Sequence, residues 1–249
     1  MPPPYRGVCF DLFGTLVRLD ASRLPALVRD GVRVPTTIAG LQALLDDVAP
    51  GVAPARFWDT LLAVTRELSV ERAVDDRERP SRERFRRALI RVGLPPDAAA
   101  EGGVLLSRAH LAMLVAATDY PASHRAVFER ARRAERVAVV SNFDDTAAAY
   151  EILHRHGILD GLDGVVVSET LGVRKPHHLM MRQALARIGL PPDAVLFVGD
   201  TFAEDVVGAQ RVGLDVAWID RDGAGVPAGA TRPTYVVRRL EDVVAMLAP

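Results

Sequence analysis

The sequence predicts an α/β fold in which a parallel sheet is interrupted, after its first strand, by an inserted all-helical unit. Two observations support this prediction. From Tyr120 onward, short β-branched runs alternate with helical segments, a pattern typical of a parallel sheet covered by helices on both faces. A similar apolar run, Gly7 to Phe10, precedes a long stretch with helical spacing, so the first strand is separated from the others along the chain.

The predicted strands after the insertion are short and each ends at polar or turn residues. After strand Gly7 to Phe10 and the turn Phe13-Gly14-Thr15, we expect strands at 137–140, 165–167, 195–198, 215–219 and 235–237. Between them we expect helices at about 122–133, 146–156, 178–188 and 203–212, and a further helix at the C-terminal end.

The inserted stretch, from about Asp20 to Asp119, has no strong strand signal. Arg, Leu and Ala recur in it at helical spacing, and proline or glycine interrupts the pattern at several points. These breaks follow Val34, Ala49, Arg79 and Leu94. The stretch is therefore predicted to form several short helices.

Composition and charge exclude several classes of protein. The chain has 249 residues and a net charge of −1, so no basic field would attract nucleic acid. A single cysteine, Cys9, excludes an intramolecular disulfide. No apolar run approaches the roughly 20 residues of a membrane span, and the N-terminus does not resemble a signal peptide. A cytoplasmic protein is predicted, and either a monomer or a homodimer is compatible with the sequence.

Reactive side chains follow the predicted strands. In open α/β sheets, sites form where the carboxyl ends of the strands meet. These ends carry acids, small hydroxyl or amide groups and one lysine, namely Asp11 with Thr15, Ser141 with Asn142, Ser168 with Glu169, Lys175, and Asp200 with Glu204 and Asp205. A carboxylate can attack phosphorus, carboxylate oxygens bind Mg²⁺, and a lysine with hydroxyls can hold phosphate oxygens.

Lys175 is the only lysine among 31 basic residues; the others are arginine. Arginine therefore serves wherever charge alone is needed in this chain. A planar guanidinium does not replace a compact ammonium on a flexible stem at a tight phosphate site. The position of the single lysine favours a functional role.

Four segments together resemble the motifs of the haloacid dehalogenase superfamily. They are Phe10 to Leu16, Ser141-Asn142, Lys175-Pro176, and Gly199-Asp200 through Asp205, in the family's chain order. The resemblance implies a Rossmann-like catalytic core formed by residues 1–18 and 120–249. It also implies that residues 19–119 form a helical cap of the C1 type, which in the family closes over the substrate.

The resemblance implies a role for each matching residue. Asp11 corresponds to the covalent nucleophile, and Lys175 to the cation that bridges nucleophile and phosphate. Thr15, Ser141 and the backbone of Asn142 correspond to ligands of the phosphate oxygens.

The resemblance also implies a Mg²⁺ site. Its ligands would be Asp11, the backbone carbonyl of Phe13, and Asp200, with Asp205 as a further or indirect carboxylate.

One position departs from the pattern of the family's phosphatases. They carry a second aspartate two residues after the nucleophile, which protonates the leaving group and then activates water. Here that position is Phe13. A general acid or base typically contributes about 10²–10⁴ in rate, so another group, solvent or the substrate must supply the proton.

The resemblance leaves several functions open. We predict a Mg²⁺-dependent phosphatase that acts on a small phosphorylated metabolite. A 2-haloacid dehalogenase is the first alternative, because these relatives carry an aromatic residue where this chain has Phe13; their fourth motif, however, resembles Ser-Ser-Asn rather than Gly199-Asp200-Thr201. A catalytically weak or non-enzymatic member is the second. Phosphonate cleavage is excluded, because it needs a cap lysine and the insertion has none.

Overall fold

A computed structural model describes residues 5–29 and 31–247 of the chain. The chain forms two compact units: Met1–Arg18 together with Asp119–Pro249, and Leu19–Thr118. We call them the sheet unit and the inserted unit. The catalytic and cap roles that the resemblance implies for residues 1–18 with 120–249 and for residues 19–119 stay predictions.

The strands in chain order are β1 Gly7–Phe10, β2 Arg18–Leu19, β3 Ala26–Arg29, β4 Val32–Pro35, β5 Thr118–Asp119, β6 Arg136–Ser141, β7 Gly164–Val167, β8 Val195–Gly199, β9 Asp215–Ile219 and β10 Tyr235–Val237. The α-helices are α1 Gln42–Val48, α2 Pro54–Asp75, α3 Ser81–Arg91, α4 Pro96–Ala116, α5 Ala122–Ala131, α6 Thr146–Arg155, α7 Ser168–Leu171, α8 His178–Ile188 and α9 Val207–Gln210.

The sheet unit contains a six-stranded parallel sheet in the order β10-β9-β8-β1-β6-β7. Strand β1 is central, and its Val8 pairs with Val137 on one side and Leu196 on the other. All four residues of β1 are buried, as expected for a strand that is covered on both faces. The predicted α/β fold with a parallel sheet is therefore confirmed.

The inserted unit is not all-helical, which corrects the prediction. Strands β3 and β4 form an antiparallel hairpin, with Ala26 paired to Pro35 and Arg29 to Val32. Gly31, next to the turn, has φ of +77°, a conformation that glycine adopts without steric cost. Two four-residue strands beside a run of helical residues are too short to produce a strong period of two.

The helical part of the inserted unit follows the predicted pattern. In α2, the buried residues Phe57, Leu61, Val64 and Leu68 recur at spacings of three and four, so they form one apolar stripe. This stripe packs with residues of α3 and α4, including Leu106, in one hydrophobic core.

Helix α4 is, within the described ranges, the one helix long and apolar enough to cross a membrane by length and composition. Its Gly103 lies against α3, where a Cβ would come within 2.9 Å of the backbone nitrogen of Arg86. Its Ala99 and Leu106 are fully buried in the core of the inserted unit. This packing is that of a core helix in a globular unit, and the cytoplasmic location stays a prediction.

The segment after β8 differs in detail from the helix predicted at about 203–212. It begins as a π-helical turn, Phe202–Val206, and only then continues as α9. The side chain of Asp205 accepts a hydrogen bond from the amide of Thr201 at 2.9 Å, and the amide of Asp205 donates to the Thr201 carbonyl at 2.7 Å. These bonds turn Asp205 back toward the strand end, and such π-turns are common at functional sites. The predicted C-terminal helix is a 3₁₀ helix, Leu240–Met246.

Candidate active site

Lys175 and Asp11 form the centre of a charged cluster at the carboxyl ends of the strands. Asp11 follows β1, and its amide donates to the carbonyl of Val198 at 2.9 Å, which continues the sheet pairing for one more residue. The Nζ of Lys175 lies 2.5 Å from Asp11 Oδ1 and 2.6 Å from Asp205 Oδ1. Lys175 and Asp205 are each 1% exposed, so these ion pairs are largely removed from solvent.

The electrostatics of this cluster keep Lys175 charged. Burial alone would lower the pKa of Lys175, but the carboxylates of Asp11 and Asp205 more than offset this and hold the pKa above its ordinary value. Burial raises the pKa of Asp11, and the nearby carboxylates of Asp205 and Asp200 add to the rise, while Lys175 opposes it. One ammonium therefore does not balance the acids that surround it.

Asp200 completes a group of three acids. One ligand oxygen from each of Asp11, Asp200 and Asp205 lies within 4.8 Å of the others. The backbone of Asp200 is held by the indole nitrogen of Trp218, which donates to its carbonyl at 3.0 Å. Burial and the carboxylate of Asp205 raise the pKa of Asp200. The donor set is hard oxygen, which suits Mg²⁺.

Gly14 allows the turn after β1 to approach Asp200. Its φ is +79°, and a Cβ built on it would overlap the Asp200 carboxylate. The turn is closed by hydrogen bonds of 2.9 Å from the Gly14 amide to the Val17 carbonyl and from the Val17 amide to the Leu12 carbonyl. A side chain at position 14 is therefore excluded both by backbone conformation and by the acid cluster.

We expect Gly14→Ala to impair the site as well as the fold. A positive φ costs a non-glycine residue about 1–2 kcal/mol, and displacement of Asp200 by about 1 Å can lower activity by up to about 10²-fold. Gly157→Ala is a matched control, because Gly157 has φ of +66° and nothing within 4 Å of its Cβ position. Thermal unfolding and hydrolysis rates of both variants check this; equal activity in the two would contradict it.

The predicted phosphate ligands occupy the same edge. Thr15 is fully buried on the turn after β1, and its Oγ1 has no hydrogen-bond partner in the described part of the chain. Ser141 is the last residue of β6, the neighbour of β1, and is also buried. A buried hydroxyl without a hydrogen-bond partner lowers the stability of the fold, and the Thr15 Oγ1 could recover this loss by a hydrogen bond to an oxygen-rich ligand.

Asn142 has side-chain contacts that the prediction, which assigned its backbone to phosphate, did not include. Its side chain binds the backbone of Lys175: Oδ1 accepts from the Lys175 amide at 2.7 Å, and Nδ2 donates to the Lys175 carbonyl at 3.0 Å. The predicted backbone role stays a prediction, while the side chain anchors the lysine.

Phe13, where phosphatases of the family carry an acid, packs on an aromatic neighbour. The ring centroids of Phe13 and Phe143 are 5.0 Å apart with an interplanar angle of 40°. Asp145, in the loop between β6 and α6, accepts a hydrogen bond from the Ala148 amide at 2.9 Å and so caps α6. The position two residues after Asp11 is thus part of an aromatic contact, and its side chain offers no proton.

Sequence reasoning missed one charged residue beside the acids, Arg221, and it did not predict the contacts of another, Glu204. Arg221, two residues after the end of β9, donates to the carbonyl of Gly14 and lies 3.6 Å from Asp200 Oδ2. Glu204, next to Asp205, accepts from the side chains of Asn142 and Arg174. The rule that sites form at strand ends would have found Arg221 had it been applied to β9.

The inserted unit contains an apolar cavity of about 300 Å³, lined among others by Leu27, Ile38, Phe57 and Trp58. None of the strand-end residues lines it. Asp59 also lines it, but the strand ends bring together three carboxylates and a lysine, which covalent and metal chemistry can use. We therefore assign the candidate site to the strand ends of the sheet unit.

Comparison with known proteins agrees with this geometry. The family model of haloacid dehalogenase-like hydrolases matches residues 5–213. A pyrimidine 5'-nucleotidase of Escherichia coli is 35% identical over 96 residues, which are 38% of this chain and 42% of that protein. A phosphoserine phosphatase of Thermus thermophilus is 30% identical over 143 residues, 57% of this chain and 55% of that protein. The matches thus span about half the length of these relatives.

Solved structures share the fold at low identity. A 2-haloacid dehalogenase of Pseudomonas syringae has a TM-score of 0.68 and 21% identity, with 96% of each chain covered. A hydrolase of Bacillus subtilis, solved with bound magnesium, has a TM-score of 0.63 and 21% identity, with 98% of this chain and 99% of that chain covered. At this identity the likeness shows the fold alone.

Proposed function

Because the chain belongs to the haloacid dehalogenase-like hydrolases, we propose that it is a phosphatase of small phosphorylated metabolites with Asp11 as covalent nucleophile. The observation that supports a phosphatase most directly is the acid group of Asp11, Asp200 and Asp205 around a single ammonium. Three carboxylates against Lys175 and Arg221, which lies 3.6 Å from Asp200, still leave negative charge that a divalent cation would balance.

The residues present fit Mg²⁺. Mg²⁺ is usually bound by one or two carboxylates plus substrate phosphate, and Asp11 and Asp200 would supply these carboxylates, with the Phe13 carbonyl as a further oxygen. Both oxygens of Asp205 are already engaged, one by Lys175 and one by the Thr201 amide. Asp205 therefore acts mainly by holding Lys175. When bound, the ion would offset the negative charge of carboxylates and phosphate.

The proposed reaction has two displacements. An oxygen of Asp11 attacks phosphorus, the bond from phosphorus to the ester oxygen breaks, and the leaving oxygen takes a proton from water. Water then attacks the phosphorus of the aspartyl phosphate, the bond to Asp11 breaks, and inorganic phosphate leaves while Asp11 returns as a carboxylate. The attacking water releases one proton to solvent, which neutralises the hydroxide formed in the first displacement. Thr15 and Ser141 donate hydrogen bonds to the phosphoryl oxygens, and Lys175 balances their charge.

No side chain in this scheme replaces the missing acid at position 13. The raised pKa of Lys175 makes it a poor proton donor, so it serves as a fixed cation. Without a general acid the rate depends strongly on the basicity of the leaving group. We therefore propose that the enzyme favours phosphates with weakly basic leaving groups over alkyl phosphates.

A dehalogenase is the second candidate, favoured by the aromatic residue at Phe13. Asp11 would attack carbon, the carbon–halogen bond would break with release of halide, and water would then hydrolyse the ester. A haloacetate dehalogenase of Moraxella is 26% identical over 117 residues, 47% of this chain and 51% of that protein. The carboxylate of Asp200 beside Asp11 favours the phosphatase, because displacement of halide has no use for a cation site.

The test compares phosphate and halide release. With Mg²⁺ we expect hydrolysis of p-nitrophenyl phosphate that EDTA abolishes and added Mg²⁺ restores, and slower hydrolysis of glycerol phosphate. Halide release from 2-chloropropionate, measured in parallel, is expected to be absent. Halide release that EDTA does not affect, without phosphate release, would overturn the proposal in favour of the dehalogenase.

A further inference from the structure

A second set of polar residues lies one position away from the proposed catalytic residues. Asn142 follows Ser141, Arg174 precedes Lys175, and Glu204 precedes Asp205. Their side chains bind one another and the backbone of Lys175. They connect the loops that follow three different strands, β6, β7 and β8.

Glu204 is the member of this set that binds the other two. Its Oε2 accepts from Asn142 Nδ2 at 2.8 Å, and its Oε1 accepts from a guanidinium nitrogen of Arg174 at 2.9 Å. The same Asn142 Nδ2 also donates to the Lys175 carbonyl. The Glu204 carboxylate thus binds Arg174, the residue before Lys175, and also the side-chain amide of Asn142, which binds the backbone of Lys175.

Such anchoring matters because the lysine side chain is long and flexible. Its Nζ must stay between Asp11 and Asp205 on a four-carbon stem, and the start of this stem is placed by the backbone that Asn142 holds. A misplacement of about 1 Å at a catalytic group can cost up to about 10²-fold in rate.

We infer that Glu204 is a positioning residue that fixes the backbone of Lys175 through Asn142 and Arg174. Its effect on turnover rests on the proposed function, whereas its effect on Lys175 does not. Glu204 touches neither Asp11 nor the lysine ammonium in the contacts of the described residues, so it acts through its two partners.

The variant that tests this is Glu204→Gln. A glutamine has one acceptor oxygen and one amino group, so it can accept from Asn142 or from Arg174, and its amino group then faces the other donor. The matched control is Asp163→Asn. Asp163, just before β7 at the opposite edge of the sheet, accepts from the Val137 amide at 2.8 Å and lies 3.6 Å from Arg136, so the same kind of change is made far from Lys175.

The readout uses the single lysine. With [ζ-¹⁵N]lysine the protein gives one side-chain signal, that of Lys175. In the wild type and in Asp163→Asn we expect a slowly exchanging resonance, because Nζ is buried and bonded to two carboxylates. In Glu204→Gln we expect a shifted resonance and faster hydrogen exchange. An unchanged resonance and exchange rate in Glu204→Gln, or equal changes in Asp163→Asn, would overturn the inference.

Kinetics supply the second readout. On p-nitrophenyl phosphate we expect Glu204→Gln to lower kcat by about 10-fold to 100-fold with KM changed less than about twofold, since the fault lies in positioning and not in binding. Asp163→Asn should keep the wild-type kcat. If the wild-type protein does not hydrolyse phosphate esters, the proposed function is wrong. The Lys175 resonance still tests the role of Glu204 in that case. An active wild type with kcat unchanged in Glu204→Gln would overturn the inference.

Discussion

Asp11→Asn is expected to lower kcat/KM for p-nitrophenyl phosphate by more than about 10³-fold, because it removes the nucleophile. An amide oxygen is a far weaker nucleophile than a carboxylate and forms no stable phosphoryl intermediate. The substitution is nearly isosteric, and the amide oxygen can still accept from Lys175 at the place of Asp11 Oδ1. Initial rates with saturating Mg²⁺ measure the effect.

The control for this variant is its stability. Burial and neighbouring acids raise the pKa of Asp11, so the charged form is disfavoured in the folded protein. A neutral asparagine relieves that cost, which offsets the loss of the ion pair between Asp11 and Lys175. Lys175 also keeps Asp205 as a charged partner. We therefore expect the free energy of unfolding to change by less than about 1 kcal/mol. Phosphatase activity retained in a folded Asp11→Asn protein would contradict the covalent mechanism.

Lys175→Met is the second large effect. Removing one partner of a buried ion pair typically costs about 3–5 kcal/mol, because the remaining charge is left uncompensated. Here two carboxylates, Asp11 and Asp205, lose the ammonium at once. We expect a large loss of stability, together with a loss of phosphatase activity of more than about 10³-fold. Denaturant unfolding and initial rates check the two parts.

Lys175→Arg separates charge from geometry. It keeps the positive charge but places a wider, planar group in a site that is 1% exposed, and overpacking typically costs about 1–3 kcal/mol. We expect Lys175→Arg to be more stable than Lys175→Met and still inactive. Mg²⁺ should raise the unfolding temperature of Lys175→Met more than that of the wild type, because the acids then lack their own cation. Wild-type stability in Lys175→Met would contradict the role of the lysine.

Local pattern was sufficient for most elements of the sheet unit. Strands Gly7–Phe10, Asp215–Ile219 and Tyr235–Val237 and helix His178–Ile188 have the predicted bounds. Short β-branched runs between turn residues, and apolar spacing over several helical turns, are properties of neighbouring residues, so they are present in the chain before it folds. The hairpin of Ala26–Arg29 and Val32–Pro35 was missed because each strand is too short to show a period.

The candidate site was also predicted in part from the sequence. Parallel strands bring their carboxyl ends to one edge of the sheet, so the sequence predicted that the charged residues at these ends lie close together. The structure places these residues together, namely Asp11, Lys175, Asp200 and Asp205.

Which atoms bind which was decided only by the tertiary structure. Three contacts depend on distances between loops that follow different strands. They are the hydrogen bonds of the Asn142 side chain with the backbone of Lys175, the bond of Asn142 with Glu204, and the approach of Arg221 to Asp200. The sequence by itself determined the order of the main strands and helices of the sheet unit and the types of side chain at the strand ends. Packing of the sheet sets the spacing between loops far apart in the chain, and no local pattern carries that spacing.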